Sequence, residues 1–400
     1  MNKLFPTYEI GSLPKLNARV KALKGQPVSD EDIQQIMKLS KRVNIDPTNV
    51  ESIFRAQTAD KRKLTPEEKS QVIDFNALLY LKLQKLIGFD FVYDGEARRA
   101  EMYRHVVLRI DGFEDIPEMV RSRDLDSYRK GICIADPKLK EGSLDQLVTR
   151  EFDFVSQNVK DPSTIKVPID DPYMIAVMSD NGHFTERTRN EFSSDLRRHS
   201  YEAKRAFTLA LANNVIRPQV ESVVAKGAQW VQLDIPAATL DLDHVPIVVE
   251  GVNAVVQGIE NVKFSLHICY PRRVTLTEKN GYELLFPSIL ELNPTVNHLS
   301  LELANADQYE QDLAVFKEYQ PDRIFEIGLG VTDITEEKQK MGVIETPGIV
   351  RDRIARAVDV LGDDSLVYVA PDCGLRQLEL ERCVQMYEIL VKGTELARRG

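Results

Sequence analysis

Four hundred residues, 43% hydrophobic and 28% charged, have the composition of an ordinary globular chain and suffice to bury a large core. The formal net charge of -10 argues against nucleic acid or an anionic membrane surface as the main partner. No apolar run approaches the roughly 20 residues of a membrane-spanning helix, and the first residues lack the basic-then-apolar order of a signal peptide.

In chain order, β-rich runs alternate with helical patterns. The first strand is read at Thr7–Ser12 and is followed by a polar, mostly helical excursion over 13 to about 65. Val72, Phe75, Leu79 and Leu83 recur at helical spacing within Pro66–Ile87. A second strand, Phe89–Glu96, leads into another excursion over 97 to about 160, rich in Asp, Arg and Pro. The third strand is read at Ile165–Ile169, then a long helical stretch over Glu186–Lys226, broken near Pro218. Five more strands follow at Trp230–Asp234, Val262–Cys269, His298–Glu302, Arg323–Gly328 and Leu366–Pro371. Eight alternations predict a (β/α)8 barrel forming one catalytic domain over 1–400, with helical insertions at about 13–65 and 97–160. A Rossmann fold is disfavoured because no G-x-G-x-x-G follows an early strand. Both insertions leave from strand ends on the active-site side, as lids, partner surfaces or decoration.

The chemistry-bearing residues stand at that rim. His267-x-Cys269 ends the fifth strand, Glu302 ends the sixth, and Cys373 follows the eighth. Two apart in a strand, His267 and Cys269 point to the same side. Singly, each has a bland reading: a partly buried histidine, a thiol packed as a small hydrophobe, a carboxylate held in a salt bridge. Together, at successive strand ends, they are a zinc-ligand set, with Cys269 and Cys373 the firm members and Glu302 the softer one. Zinc binding converts a thiol to its thiolate, so the set suits thiol alkylation. The remaining cysteines, Cys133 and Cys383, sit in apolar or helical contexts. Four cysteines are too sparse for a disulfide scaffold, and reduced thiols in the cytoplasm are expected.

These residues resemble the catalytic C-terminal half of cobalamin-independent methionine synthase. The matching pieces are Ile10-Gly11-Ser12-Leu13-Pro14, Asp94-Gly95-Glu96, Gln232-Leu233-Asp234-Ile235-Pro236, His267-Ile268-Cys269-Tyr270, Glu302 with Asp307, and Pro371-Asp372-Cys373-Gly374-Leu375. They occur in family order. The resemblance implies that His267, Cys269, Glu302 and Cys373 bind the catalytic zinc. It also implies that Ile10, Ser12, Glu96 and Asp234 hold homocysteine, Glu96 and Asp234 being the catalytic carboxylates. The physics agrees: two carboxylates grip the ammonium, while Ser12 and backbone N–H groups receive the carboxylate. The competing roles are an ion pair of Glu96 with Arg98 or Arg99, and a helix cap for Asp234.

Departures from the family bear on the methyl donor. The chain carries one barrel's worth of sequence, without the related N-terminal half. Its Asp234-Ile235-Pro236 lacks the acidic residue of the family's Asp-Glu-Pro, and no histidine follows the seventh strand in Gly330–Thr335. The only tryptophan is Trp230, so none is left to stack a pterin, and the stretch Tyr270–Glu291 is longer than expected. Short, single-barrel members are thought to take the methyl group from methylcobalamin, often on a corrinoid protein, and that donor is the expectation here, with a folate-dependent methionine synthase as an alternative. A second reading is a zinc alkyltransferase for another thiol, of the epoxide:coenzyme M type. It requires cations for a sulfonate, with Arg98, Arg99, Arg272 and Arg273 as candidates. A third is a metal-free scaffold on an inherited barrel.

Overall fold

The computed structural model describes residues 3–99, 101–120, 128–189, 195–236, 238, 241–270, 281–304, 308–334 and 345–400. Local start and stop signals delimit the N-terminal helices. Ser29 caps Asp30–Val43 and Thr65 caps Pro66–Ile87, each in a reciprocal capping box, with Asp32 and Glu68 as partners. Pro66 occupies the first turn, where no N–H is required, and Gly88 ends that helix at φ 106°. With Asn17–Leu23 and Thr48–Asp60, these helices make the first insertion helical, as expected.

The second insertion is not purely helical. It carries an antiparallel hairpin, β1 (Ile110–Val120) and β2 (Tyr128–Leu139), between the helices Met102–Val107 and Val148–Asn158. β2 has buried positions at Gly131 and Cys133, the alternation that a half-buried strand requires. The hairpin docks on the barrel through Cys133 N–H to Asp180 O (2.8 Å) and Asp180 N–H to Gly131 O (2.9 Å).

Six parallel strands follow, hydrogen-bonded in sequence order: β3 (Val167–Asp170), β4 (Trp230–Asp234), β5 (Lys263–Ile268), β6 (Val296–Leu301), β7 (Glu326–Gly330) and β8 (Val367–Ala370). The first two expected strands reduce to single bridges that close the ring. Thr7 pairs with Val369, Tyr8 with Phe91 and Val92 with Ile165. Ladder pairing stops there because the Ile10 carbonyl is taken by side chains, Lys166 Nζ at 2.7 Å and Gln232 Nε2 at 2.8 Å. The result is the expected (β/α)8 barrel.

The stretch expected as helical over Glu186–Lys226 begins within the helix Gly182–Thr188, and the expected break near Pro218 does not occur. Leu196–Leu211 runs through a π turn, Ala212–Ile216, into Arg217–Ala225. The wider turn makes room for the proline ring against the preceding carbonyls. Residues facing the lumen are largely polar and mutually paired. Tyr8 donates to Ser300 (2.7 Å), Trp230 donates to Ser265 (2.8 Å), and Lys263 pairs with Glu326 (2.5 Å). Among the described residues, no helix is long and apolar enough to cross a membrane.

Candidate active site

Strand parity builds the site. On β4, Trp230, Gln232 and Asp234 share the lumen face, and the register sets His267 of β5 beside Asp234. Cys269 lies just past β5, Glu302 just past β6, and Cys373 in the turn after β8. One donor atom from each of His267, Cys269, Glu302 and Cys373 lies within 4.8 Å of all the others. His267 Nε2 is 3.3 Å from Cys373 Sγ and 3.8 Å from Cys269 Sγ, and the two sulfurs are 3.8 Å apart. Burial pushes His267 down to about 3, so its ring is neutral with a lone pair to give. The Cys269 thiol is held well above its ordinary value by its hydrogen bond with Cys373, by burial and by the Glu302 charge. A cation at the centre of this cluster reverses that preference.

Two buried groups hold the turns that carry these donors together. The Tyr282 hydroxyl donates to Ile268 O (2.9 Å) and accepts the Glu302 N–H (2.8 Å), joining the ends of β5 and β6. Asp372, next to Cys373, accepts from the N–H groups of Leu303 (3.0 Å) and Ala304 (2.8 Å), just after Glu302. Gly330 leaves the room this needs, since a Cβ there would lie 2.3 Å from the Asp372 carboxylate. Sequence reasoning missed Tyr282, which lies in the short 3-10 helix Gly281–Leu285, and quoted Asp372 only as a neighbour of the cysteine.

The four expected substrate residues converge beside this cluster. Glu96 is buried and sits at φ 52°, a left-handed conformation that costs a non-glycine residue about 1–2 kcal/mol. Such strain is concentrated at functional sites. Gly11 accommodates it: a Cβ at Gly11 would come within 2.6 Å of Glu96 Oε1. Glu96 accepts from Arg99 at 3.3 Å, so the ion pair does form. Asp234 is not a helix cap. It accepts from Gln232 at 2.7 Å, and burial, then the Glu96 charge, push it up to about 7. Ser12 abuts the Cys373 turn, with its carbonyl accepting the Leu375 N–H at 2.8 Å. The Ile10 carbonyl is engaged by Lys166, a fully buried lysine on an inward position that sequence reasoning overlooked.

Of the four cations expected for a sulfonate, the two that lie among the described residues, Arg98 and Arg99, are otherwise engaged. Arg98 pairs with Asp74 and lies 4.4 Å over the Phe154 ring. Arg99 binds Glu151 at 2.7 Å, Glu96 and the Pro168 carbonyl at 2.6 Å. Arg272, Arg273, Asp307 and Thr335 lie outside the described residues.

A barrel with buried carboxylates and a cluster of four donors of metal-ligand type at its C-terminal mouth has the frame on which barrel enzymes build their active sites. Comparison with known proteins narrows it. Residues 192–395 match the family model described as the catalytic domain of cobalamin-independent synthase. The chain is 33% identical over 314 residues to methionine synthase of Thermoplasma volcanium, covering 74% of this chain and 80% of that one. It is 30% identical over 336 residues to that of Sulfurisphaera tokodaii, covering 84% and 85%. The same fold is found in a B12-independent methionine synthase from Shewanella sp. W3-18-1, solved with selenomethionine, at TM-score 0.72 and 19% identity over 99% of this chain and 98% of that one. The chain belongs to the cobalamin-independent methionine synthase family and is an enzyme.

Proposed function

We propose that residues 1–400 act as one catalytic domain that methylates the thiol of homocysteine to give methionine, with zinc held by His267, Cys269, Glu302 and Cys373. The supporting observation is the donor geometry. Tetrahedral zinc, with Zn–S of about 2.3 Å and Zn–N of about 2.0–2.1 Å, sets S···S at about 3.8 Å and S···N at about 3.6 Å. The sulfurs here are 3.8 Å apart, and the His267 nitrogen is 3.3 and 3.8 Å from them. Bound there, zinc would keep the substrate thiol as a thiolate at neutral pH.

The chain's own residues bind and orient. Glu96 and Asp234 take the ammonium, Ser12 and nearby backbone N–H groups take the carboxylate, and neutral His267 leaves its lone pair for the metal. The expected donors, methylcobalamin or a methylated corrinoid protein, find no support in a family described as cobalamin-independent. The folate-dependent form of the reaction fits that description, and it is the donor we put forward. The test is methionine formation from homocysteine by purified protein, given methyltetrahydrofolate or methylcobalamin, before and after zinc removal by chelation. Turnover with the folate that is lost on chelation and restored by zinc is expected. Turnover with methylcobalamin alone overturns the donor assignment, and turnover unaffected by zinc removal overturns the metal assignment.

A further inference from the structure

Asp170 ends β3 next to Asp171, and the two carboxylates have different fates. Asp171 caps the following helix, accepting from the N–H groups of Tyr173 (2.7 Å) and Met174 (3.1 Å). Asp170 is 2% exposed, and neither of its oxygens has a hydrogen-bond partner. Leaving an ionisable group buried and unanswered is expensive, so such a group calls for a ligand.

Its direction follows from the register. Asp170 pairs with Asp234 and Pro168 with Gln232 in the parallel β3–β4 ladder, and register partners there face the same side. The side carrying Gln232 and Asp234 is the lumen. Pro168 confirms it, its Cβ lying 3.8 Å from where a Cβ of Gly11 would stand, beside Glu96. Strand spacing sets Asp170 about 4.8 Å from Asp234. Its proton is held well above the ordinary carboxylate range by burial, with Arg99 opposing and Glu96, Asp234 and Glu101 reinforcing the shift.

We infer that Asp170 is a third carboxyl contact for the substrate's ammonium group. The inference rests on the homocysteine reading. An α-ammonium carries three N–H donors, and Glu96 with Asp234 answers only two. A third acceptor on the same wall makes the site select a free amino group, rejecting thiols of equal length that lack one.

The experiment is calorimetric titration of the zinc-loaded protein with homocysteine and with 4-mercaptobutyrate, its analogue without the amino group. Asp170→Asn is a mild change, because Asp170 accepts nothing from the protein. A bound ammonium favours the ionised form of Asp170, which Asn cannot adopt, so homocysteine affinity falls about ten- to a hundredfold in this variant, the cost of a charge-assisted bond, while 4-mercaptobutyrate affinity stays within about twofold. Asp170→Ser gives the same pattern, and unchanged analogue binding shows that both variants are folded. Equal loss for both ligands, or undiminished homocysteine binding, overturns the assignment. A selective loss in Asp234→Asn at the same time leaves the homocysteine reading standing. Native protein that fails to bind homocysteine overturns both.

Discussion

At the scale of single residues, the four cysteines divide sharply. Cys269 and Cys373 stand 3.8 Å apart in the donor cluster. Cys133 is buried on the hairpin, its thiol on the Ala135 carbonyl at 3.1 Å, and Cys383 is buried in a helix. Cys373→Ser should therefore lose the metal and activity together, whereas Cys133→Ala and Cys383→Ala retain both. Elemental analysis of the purified variants checks this, and metal retained by Cys373→Ser would sink the ligand assignment. Glu9 offers a prediction of another kind. It is fully buried, neither oxygen has a partner, and burial pushes it up to about 8, with Lys166 opposing. A carboxyl raised in the folded state contributes stability that is present below its ordinary value and lost as pH rises toward 8. The loss is at most on the order of 1 kcal/mol per pH unit. Glu9→Gln removes that dependence, so its melting temperature should gain on the native protein between about pH 5 and about pH 8. A constant difference across that range would show that Glu9 does not titrate as described.

At the scale of elements, legibility followed the strength of local signals. Pro66–Ile87 was read to its ends because a capping box, a first-turn proline and a terminal glycine all mark it. The four donors were legible because they recur together at strand ends, although a buried cysteine or a partly buried histidine is ordinary when it stands alone. The first two strands were overestimated, since β-rich sequence there forms single bridges, and Lys166 and Gln232 capture the carbonyl that would extend the ladder. The hairpin went unread because its alternation is interrupted by two register shifts. Tyr282 had no signal at all, because its role depends on two strand ends meeting in space. Removing its hydroxyl in Tyr282→Phe leaves the Glu302 N–H unanswered and frees the turns that carry Cys269 and Glu302. Metal affinity should fall about 10- to 100-fold, as for other outer-sphere partners of metal ligands, with the fold retained. Competition with a chromogenic chelator measures it, and unchanged affinity would reduce Tyr282 to packing.

At the scale of the whole molecule, the ring is closed by segments from opposite ends of the sequence. Tyr8 N–H binds Val369 O at 3.0 Å, and Val369 N–H binds Pro6 O at 2.9 Å. Arg398 fastens this seam, donating to the carbonyls of Leu4 and Phe5 and to Asp90, each at 2.8 Å. Arg398→Ala should cost about 1.5–3 kcal/mol in denaturant unfolding, the range for hydrogen bonds to a charged group. A variant as stable as the native protein would mean that the seam needs no clasp. The seam also imposes an order of events on the ribosome. Thr7 waits for Val369, its bridge partner, through most of the chain's synthesis. At bacterial-type elongation rates of about 5–20 residues per second, that is tens of seconds during which the nascent sheet has open edges. Cys373 emerges only after Val369, so the complete donor set arises in the same late interval as the closure. A nascent chain stalled before β8 would therefore present three donors on an open sheet, a thiol-bearing surface exposed to oxidants and to the wrong metal.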